Sequence, residues 1–243
     1  MIDEWGKGAK YWDKPWNPMI GCRKVSEGCA NCYAERLAAQ YPELQSADGR
    51  FEPHLPKHLK CPPKSGVVFA GNMTDLFGEW FEFDWQIYDM LAKLSPSAKN
   101  LILTKRANRM QAVWCGYGDK LPRSIWWGIT AESHYRLERR WGSFCSVQGN
   151  RWLSLEPLLE SVYLDDTCGM GTPVIHEVDW VVVGAESGMN RRPCKLEWVR
   201  QIVEQCREAQ VPVFVKQLDI DGKLVKDIRE FPEDLQIRQV PWK

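Results

Sequence analysis

A chain of 243 residues is long enough to bury a full core, with one α/β domain as the default, and Lys plus Arg balance Asp plus Glu at 32 each. Global charge therefore gives no argument for a polyanionic partner. No apolar run approaches the ~20 residues of a membrane span, the start MIDEWGKGAKYW lacks the pattern of a leader, and the nine cysteines are mostly scattered, so a soluble cytoplasmic protein with no membrane partner is expected.

Short apolar or β-branched runs alternate with amphipathic stretches, the pattern of repeated βα units around a parallel sheet. A short strand is expected before Cys22, and YAERLAAQY after the cysteines predicts a helix. Residues 41–65 form a connection rich in proline and charge. GVVFAGNMTDLF then gives a strand ending near Gly71, FDWQIYDMLAKL a helix, NLILTKR a strand and ANRMQAVW a helix. SIWWGITAES is a strand, HYRLERRWGSF a helix and RWLSLEPLL a strand. VDWVVVGAESG is a buried strand, KLEWVRQIVEQCREAQ an amphipathic helix and VPVFVKQL the last strand. About seven strands result, which predicts an α/β fold built as a partial or complete parallel (βα)6-7 barrel over residues 1–218. The tail, residues 219–243, carries the turn signal Asp221-Gly222 and predicts a hairpin or lid packed on the barrel.

Polar residues collect where the strands end: Asn72, Thr74 and Asp75; Thr104, Lys105 and Arg106; Thr130 and Glu132; Ser154 and Glu156; Glu186 and Ser187; Lys216 and Gln217. Parallel barrels keep their chemistry at the carboxyl ends of the strands, so one lined mouth is expected. From Leu101 to Arg151 nine basic residues face three acidic ones, a segment suited to phosphates or to a solvated face with internal ion pairs. Arg191 and Arg192, in the loop after the sixth strand, are candidates for gripping a phosphate.

Cys22, Cys29 and Cys32 stand in a C-x6-C-x2-C pattern directly ahead of a helix. A structural zinc ion wants a closed tetrahedron, and the nearest fourth ligands, His54, His58 and Cys61, lie in the following connection. A four-iron cluster held by three cysteines leaves one iron open, which answers the spacing better. Three reduced thiols without a metal are the remaining alternative.

A three-cysteine loop after the first strand, ahead of a run of βα units, resembles a radical S-adenosylmethionine (SAM) core. More closely, WNPMIGCRKVSEGCANCYAERLA, VFAGNMTDLF, LILTKRANRM, IWWGITAES, LSLEPLL, WVVVGAESGMNRRPC and VPVFVKQL are similar to a bacteriophage and prophage family grouped with radical SAM proteins, and distantly with spore photoproduct lyase. The usual spacing is C-x3-C-x2-C with an aromatic residue before the third cysteine, whereas here the first gap is six and Tyr33 follows. The resemblance implies a [4Fe-4S] cluster on Cys22, Cys29 and Cys32, reductive cleavage of SAM to a 5'-deoxyadenosyl radical, and an electron donor such as a reductase or flavodoxin-like protein. It also implies a nucleobase in nucleic acid or a nucleotide as substrate.

On that resemblance, Gly71, Asn72 and Asp75 at the second strand end hold the cofactor's amino group, although the usual glutamate is lacking. Lys105 or Arg106 neutralises its carboxylate or a substrate phosphate. Thr130 and Glu132, or Ser154 and Glu156, bind ribose hydroxyls. Glu156, Glu186 and Lys216 are the candidate catalytic residues. Two rival functions stay open: a zinc-stabilised, non-catalytic nucleic-acid-binding or partner module, and a barrel hydrolase using carboxylates among Glu132, Glu156 and Glu186.

Overall fold

The central strands form where apolar residues run with little interruption, because these segments are covered on both faces, while the short outer strands KPW and KLV are partly exposed. In the computed structural model, which describes residues 10–242, the strands are β1 (Lys14–Trp16), β2 (Val67–Ala70), β3 (Lys99–Thr104), β4 (Ile125–Thr130), β5 (Asn150–Leu155), β6 (Trp180–Gly184), β7 (Val213–Ile220) and β8 (Lys223–Val225). Five helices, α1 (Tyr33–Gln40), α2 (Asp84–Leu91), α3 (Ala107–Tyr117), α4 (His134–Phe144) and α5 (Leu196–Glu208), fall between strands and make this an α/β fold. Residues 1–9, read above for a leader pattern, lie outside the described residues. Among the described residues, no helix is long and apolar enough to cross a membrane.

The chain divides into two compact units. One comprises Trp12–Ile129 and Ser146–Asn150; in it β1, β2, β3 and β4 pair in chain order, all parallel. Every residue of β2 and β4 is buried. The carboxyl end of β3 passes straight into α3 through Lys105 and Arg106, which sets those two residues at a strand end as the sequence predicts.

The other unit holds Tyr11, Thr130–Cys145 and the chain from Arg151 onward. Here β5 pairs with β6 and β6 with β7, both parallel, while β8 returns antiparallel to β7. The turn between β7 and β8 is Asp221-Gly222, with φ of 49° and 72°. Both left-handed positions are those that a tight primed hairpin turn demands, so the hairpin expected of the tail is present. Helix α5 buries Val199, Ile202, Val203 and Cys206, a three-and-four spacing that puts one apolar stripe against the strands. Helix α4 starts at Ser133, whose side chain accepts the Arg136 backbone N–H, and buries Leu137, Arg140, Trp141 and Phe144.

Trp141, Trp152 and Trp180 of this unit are core residues. Trp152 and Trp180 are fully buried on neighbouring strands, and the Tyr11 ring meets them and Phe214 edge-on at 5.9, 5.3 and 5.6 Å. Edge-to-face contacts of this kind add to the area buried. Trp180→Ala is expected to cost about 3–5 kcal/mol, measured by urea unfolding, because it empties the centre of that cluster.

Candidate functional site

The cysteine loop begins at a point pinned by backbone on two sides. Ile20 and His54 exchange hydrogen bonds of 3.0 and 2.8 Å, the Gly21 N–H donates to the Met73 carbonyl at 3.0 Å, and the Thr74 hydroxyl donates to the Gly21 carbonyl at 2.7 Å. Gly21 has φ of 90°, and a Cβ there would lie 2.1 Å from the Glu52 carbonyl oxygen. Only glycine meets both conditions. Gly21→Ala is expected to destabilise the chain by on the order of 1–3 kcal/mol, seen as a lowered Tm, and to displace Cys22 with its strained backbone.

Beyond Cys22 the chain makes one short 3₁₀ turn, Glu27–Cys29, in which the Cys29 N–H donates to the Ser26 carbonyl. Cys32 then caps the amino end of α1, its carbonyl accepting from Arg36 N–H at 3.1 Å. A pocket of about 510 Å³ is lined by Cys22, Cys29 and Cys32, with Ala38 and Ala39 of α1 and Phe51 of the connection. Its charged lining is largely matched internally: Arg23 pairs with Glu52 at 3.1 Å and Lys24 with Glu35 at 2.8 Å.

Behind Cys22 lies a buried polar network. Asp75 accepts from the Thr104 hydroxyl at 2.6 Å, from the Phe77 and Lys105 N–H groups at 3.0 and 3.1 Å, and from Arg106 Nη1 at 3.0 Å. Arg106 also donates through Nε to Glu79 at 2.9 Å and through Nη2 to the Arg23 carbonyl at 3.1 Å, and its Nη1 lies 4.0 Å from Cys22 Sγ. Burial first, then the charge of Asp75, pushes the Cys22 thiol up to about 12, while Arg106 pulls the other way. Glu79 is held below the usual carboxylate range by its hydrogen bond from Arg106.

The residues expected at the second strand end have internal tasks in this arrangement. A Cβ on Gly71 would stand 2.7 Å from Leu76 Cγ, so its missing side chain makes room for that leucine. The Asn72 side-chain oxygen accepts from Asn17 Nδ2 at 2.7 Å, and its carbonyl accepts from the Tyr33 hydroxyl. Asp75 is occupied by Arg106 and Thr104, and Lys105 joins the network through its backbone. Asn17, Glu79 and the Asn17–Asn72 pair were missed in the sequence; partners 55 positions apart leave no local signal.

The other candidates belong to the second unit. Glu132, fully buried, is held bidentately by Arg140, which also donates to the Thr130 carbonyl at 2.6 Å. Glu186 is 4% exposed and accepts from the Arg192 backbone N–H at 2.8 Å, from its Nε at 3.0 Å and from its Nη2. Arg192 is thereby tied to a carboxylate rather than presented to a phosphate. Glu156 differs: Lys216 Nζ stands 2.9 Å from its Oε1, and the Tyr11 and Ser154 hydroxyls each stand 3.4 Å from Oε2. The Lys216 ammonium lies 5.5 Å from the Tyr11 ring centre, a cation–π distance. Tyr11 carries no sequence signal of this role, being 145 residues from Glu156.

A set of three metal-type ligand atoms within 4.8 Å of one another does occur, at His134, Glu138 and Asp166. The Tyr163 N–H donates to His134 Nδ1 at 3.3 Å, so the neutral ring keeps its proton on Nε2, which faces Asp166 at 3.3 Å. A metal-bound histidine has the opposite arrangement, donating from the free ring nitrogen. These residues make a hydrogen-bonded cluster.

With this geometry in place, comparison of the whole sequence places the chain. A family described as "Protein of unknown function (DUF5131)" matches residues 7–228. The chain belongs to the DUF5131 family. The DUF5131 match takes in the cysteine loop, the Arg106 network, all eight strands and the Glu156–Lys216 pair. A search of curated proteins and a search of solved structures returned no match.

Proposed function

We propose that this chain is a radical SAM enzyme whose Cys22, Cys29 and Cys32 hold a [4Fe-4S] cluster. The observation that carries the reading is that all three thiols line one pocket of about 510 Å³ directly beside a buried cation, Arg106. Thiolates are the donors that iron–sulfur clusters take, and three of them leave one iron for the amino and carboxylate groups of SAM. The alternation of parallel strands and helices supports a partial barrel of the radical SAM type.

When bound, the cluster and SAM supply one-electron cleavage of the sulfonium and hence hydrogen abstraction from a substrate. The chain's own residues supply the rest. Gly21 and Thr74 fix the position of Cys22; Cys32 is set at the amino end of α1; Arg106 balances Asp75 beside Cys22. Glu156 and Lys216 form the one candidate carboxylate–cation pair that is not fully engaged by arginine, and in this reading they contact substrate. A nucleobase in nucleic acid or a nucleotide is the substrate class we propose, with a reductase or flavodoxin-like protein as electron donor. A hydrolase with paired carboxylates fits less well, since Glu132 and Glu186 are each taken by an arginine.

Iron, sulfide and zinc per chain after purification without oxygen test the reading. About four irons and four sulfides are expected. Stoichiometric zinc without sulfide overturns it in favour of a zinc-stabilised module. Deuterium carried from labelled candidate nucleic acids into 5'-deoxyadenosine then identifies the substrate.

A further inference from the structure

Arg106 is heavily engaged beside the cysteine loop, and four of its five side-chain N–H groups can be followed one by one. Nε–H goes to Glu79, one Nη1 proton to Asp75 and one Nη2 proton to the Arg23 carbonyl, while the other Nη1 position is directed toward Cys22 Sγ at 4.0 Å. The guanidinium has little freedom to leave this position. Its side chain is 5% exposed, the Trp80 ring covers it at 5.0 Å, and the Arg106 N–H is tied to the Thr104 hydroxyl at 2.9 Å. That hydroxyl in turn donates to Asp75 at 2.6 Å, so acid and base are fixed by the same threonine.

Two features separate this from a structural ion pair. First, Arg106 grips the loop at consecutive residues, the Cys22 sulfur and the Arg23 carbonyl, whereas a cation needed only to neutralise Asp75 and Glu79 has no use for either contact. Second, the Nη1 nitrogen that donates to buried Asp75 at 3.0 Å is the same one that lies 4.0 Å from the Cys22 sulfur, so the counter-charge of that carboxylate stands beside the loop. Without the guanidinium, Asp75 is left a buried carboxylate with no counter-charge in this network. The reduction potential of an iron–sulfur group follows net local charge and hydrogen bonds to its sulfurs, and both converge on this one side chain.

We propose that Arg106 is a positioning residue that holds the Cys22 end of the loop and raises the reduction potential of the iron–sulfur group bound there. The proposal rests on the radical SAM reading of the loop. Lys105, its neighbour, has no such part, because it meets the network through its backbone N–H.

The test is a redox titration, followed by electron paramagnetic resonance, of the full chain loaded with iron and sulfide without oxygen. Arg106→Met is expected to lower the midpoint potential, so that at the wild-type midpoint the ratio of reduced to oxidised cluster falls about tenfold, which is about 59 mV for one electron. Arg106→Lys keeps the charge and is expected to stay close to the wild type. Asp75→Asn/Arg106→Met removes both charges together and is expected to recover most of the shift, which a merely damaged fold would not do. The same potential in Arg106→Met as in the wild type, at equal iron and sulfide content, overturns the role of Arg106 and leaves the radical SAM reading standing. So does a shift that the double variant fails to reverse. A wild-type chain that takes up no iron and sulfide overturns the radical SAM reading and this proposal with it.

Discussion

Cys29→Ala is expected to give a folded chain that retains neither iron nor sulfide and cleaves SAM no faster than background. The side chain is half-buried on a one-turn 3₁₀ segment, and its sulfur has the Ser26 hydroxyl 3.8 Å away. Replacing it leaves no large cavity, so the stability change stays within about 0.5 kcal/mol, as for most substitutions outside a core. Loss of function in that variant is therefore loss of a ligand. With three protein ligands for four irons, removing one leaves two, and the cluster has no spare thiol in the pocket lining among the described residues. Cys61→Ala supplies the matched control, since that cysteine is exposed in the 41–65 connection, and it should keep its iron. Thermal melts of both variants together with iron analysis check the prediction. SAM cleavage that persists in Cys29→Ala would mean that this loop is not the catalytic centre.

Arg140→Met is expected to be among the most damaging single changes in the chain, by about 3–5 kcal/mol in urea unfolding. Arg140 reaches from α4 to both oxygens of fully buried Glu132 and to the Thr130 carbonyl. Deleting the guanidinium leaves a charge with no compensation and a carbonyl short of a donor, and the energetic cost lies mostly in those orphaned groups. Glu132→Gln/Arg140→Met should therefore recover a substantial part of the loss, because it removes the uncompensated charge along with its partner. If the double variant is as unstable as the sum of the singles, the pair does not act as a unit.

How much of this was legible depends on the range of the interaction. Strands such as Ile125–Thr130 and Trp180–Gly184 are unbroken apolar runs, and α5 shows its buried stripe in the spacing of Val199, Ile202, Val203 and Cys206. The tail hairpin was legible in two letters, because Asp-Gly is the pair that tolerates two consecutive left-handed residues. The three cysteines announced themselves by spacing. What the letters do not encode is which charge is spent on which. Glu132, Glu156 and Glu186 look equivalent at their strand ends, yet two are saturated by Arg140 and Arg192 and one meets a lysine. Lys105 and Arg106 look interchangeable, and only the turn from β3 into α3 decides which side chain goes inward. The division into two units is likewise a property of contacts between distant segments.

The carboxyl-terminal segment, expected as a hairpin or lid, also has a task that bears on how the protein is handled. Val215 N–H donates to the Ile237 carbonyl, Gln239 N–H donates to the Val213 carbonyl, and Trp180 Nε1 donates to the Gln239 carbonyl at 3.0 Å. Arg238 lies between the Phe214 and Phe231 rings, 5.5 and 5.6 Å from their centres. These bonds occupy the backbone groups of Val213 and Val215 that would otherwise form an open strand edge. Cutting the chain after Leu218 would remove that cover and offer VFV to the next molecule as a template for pairing, which is how aggregation begins.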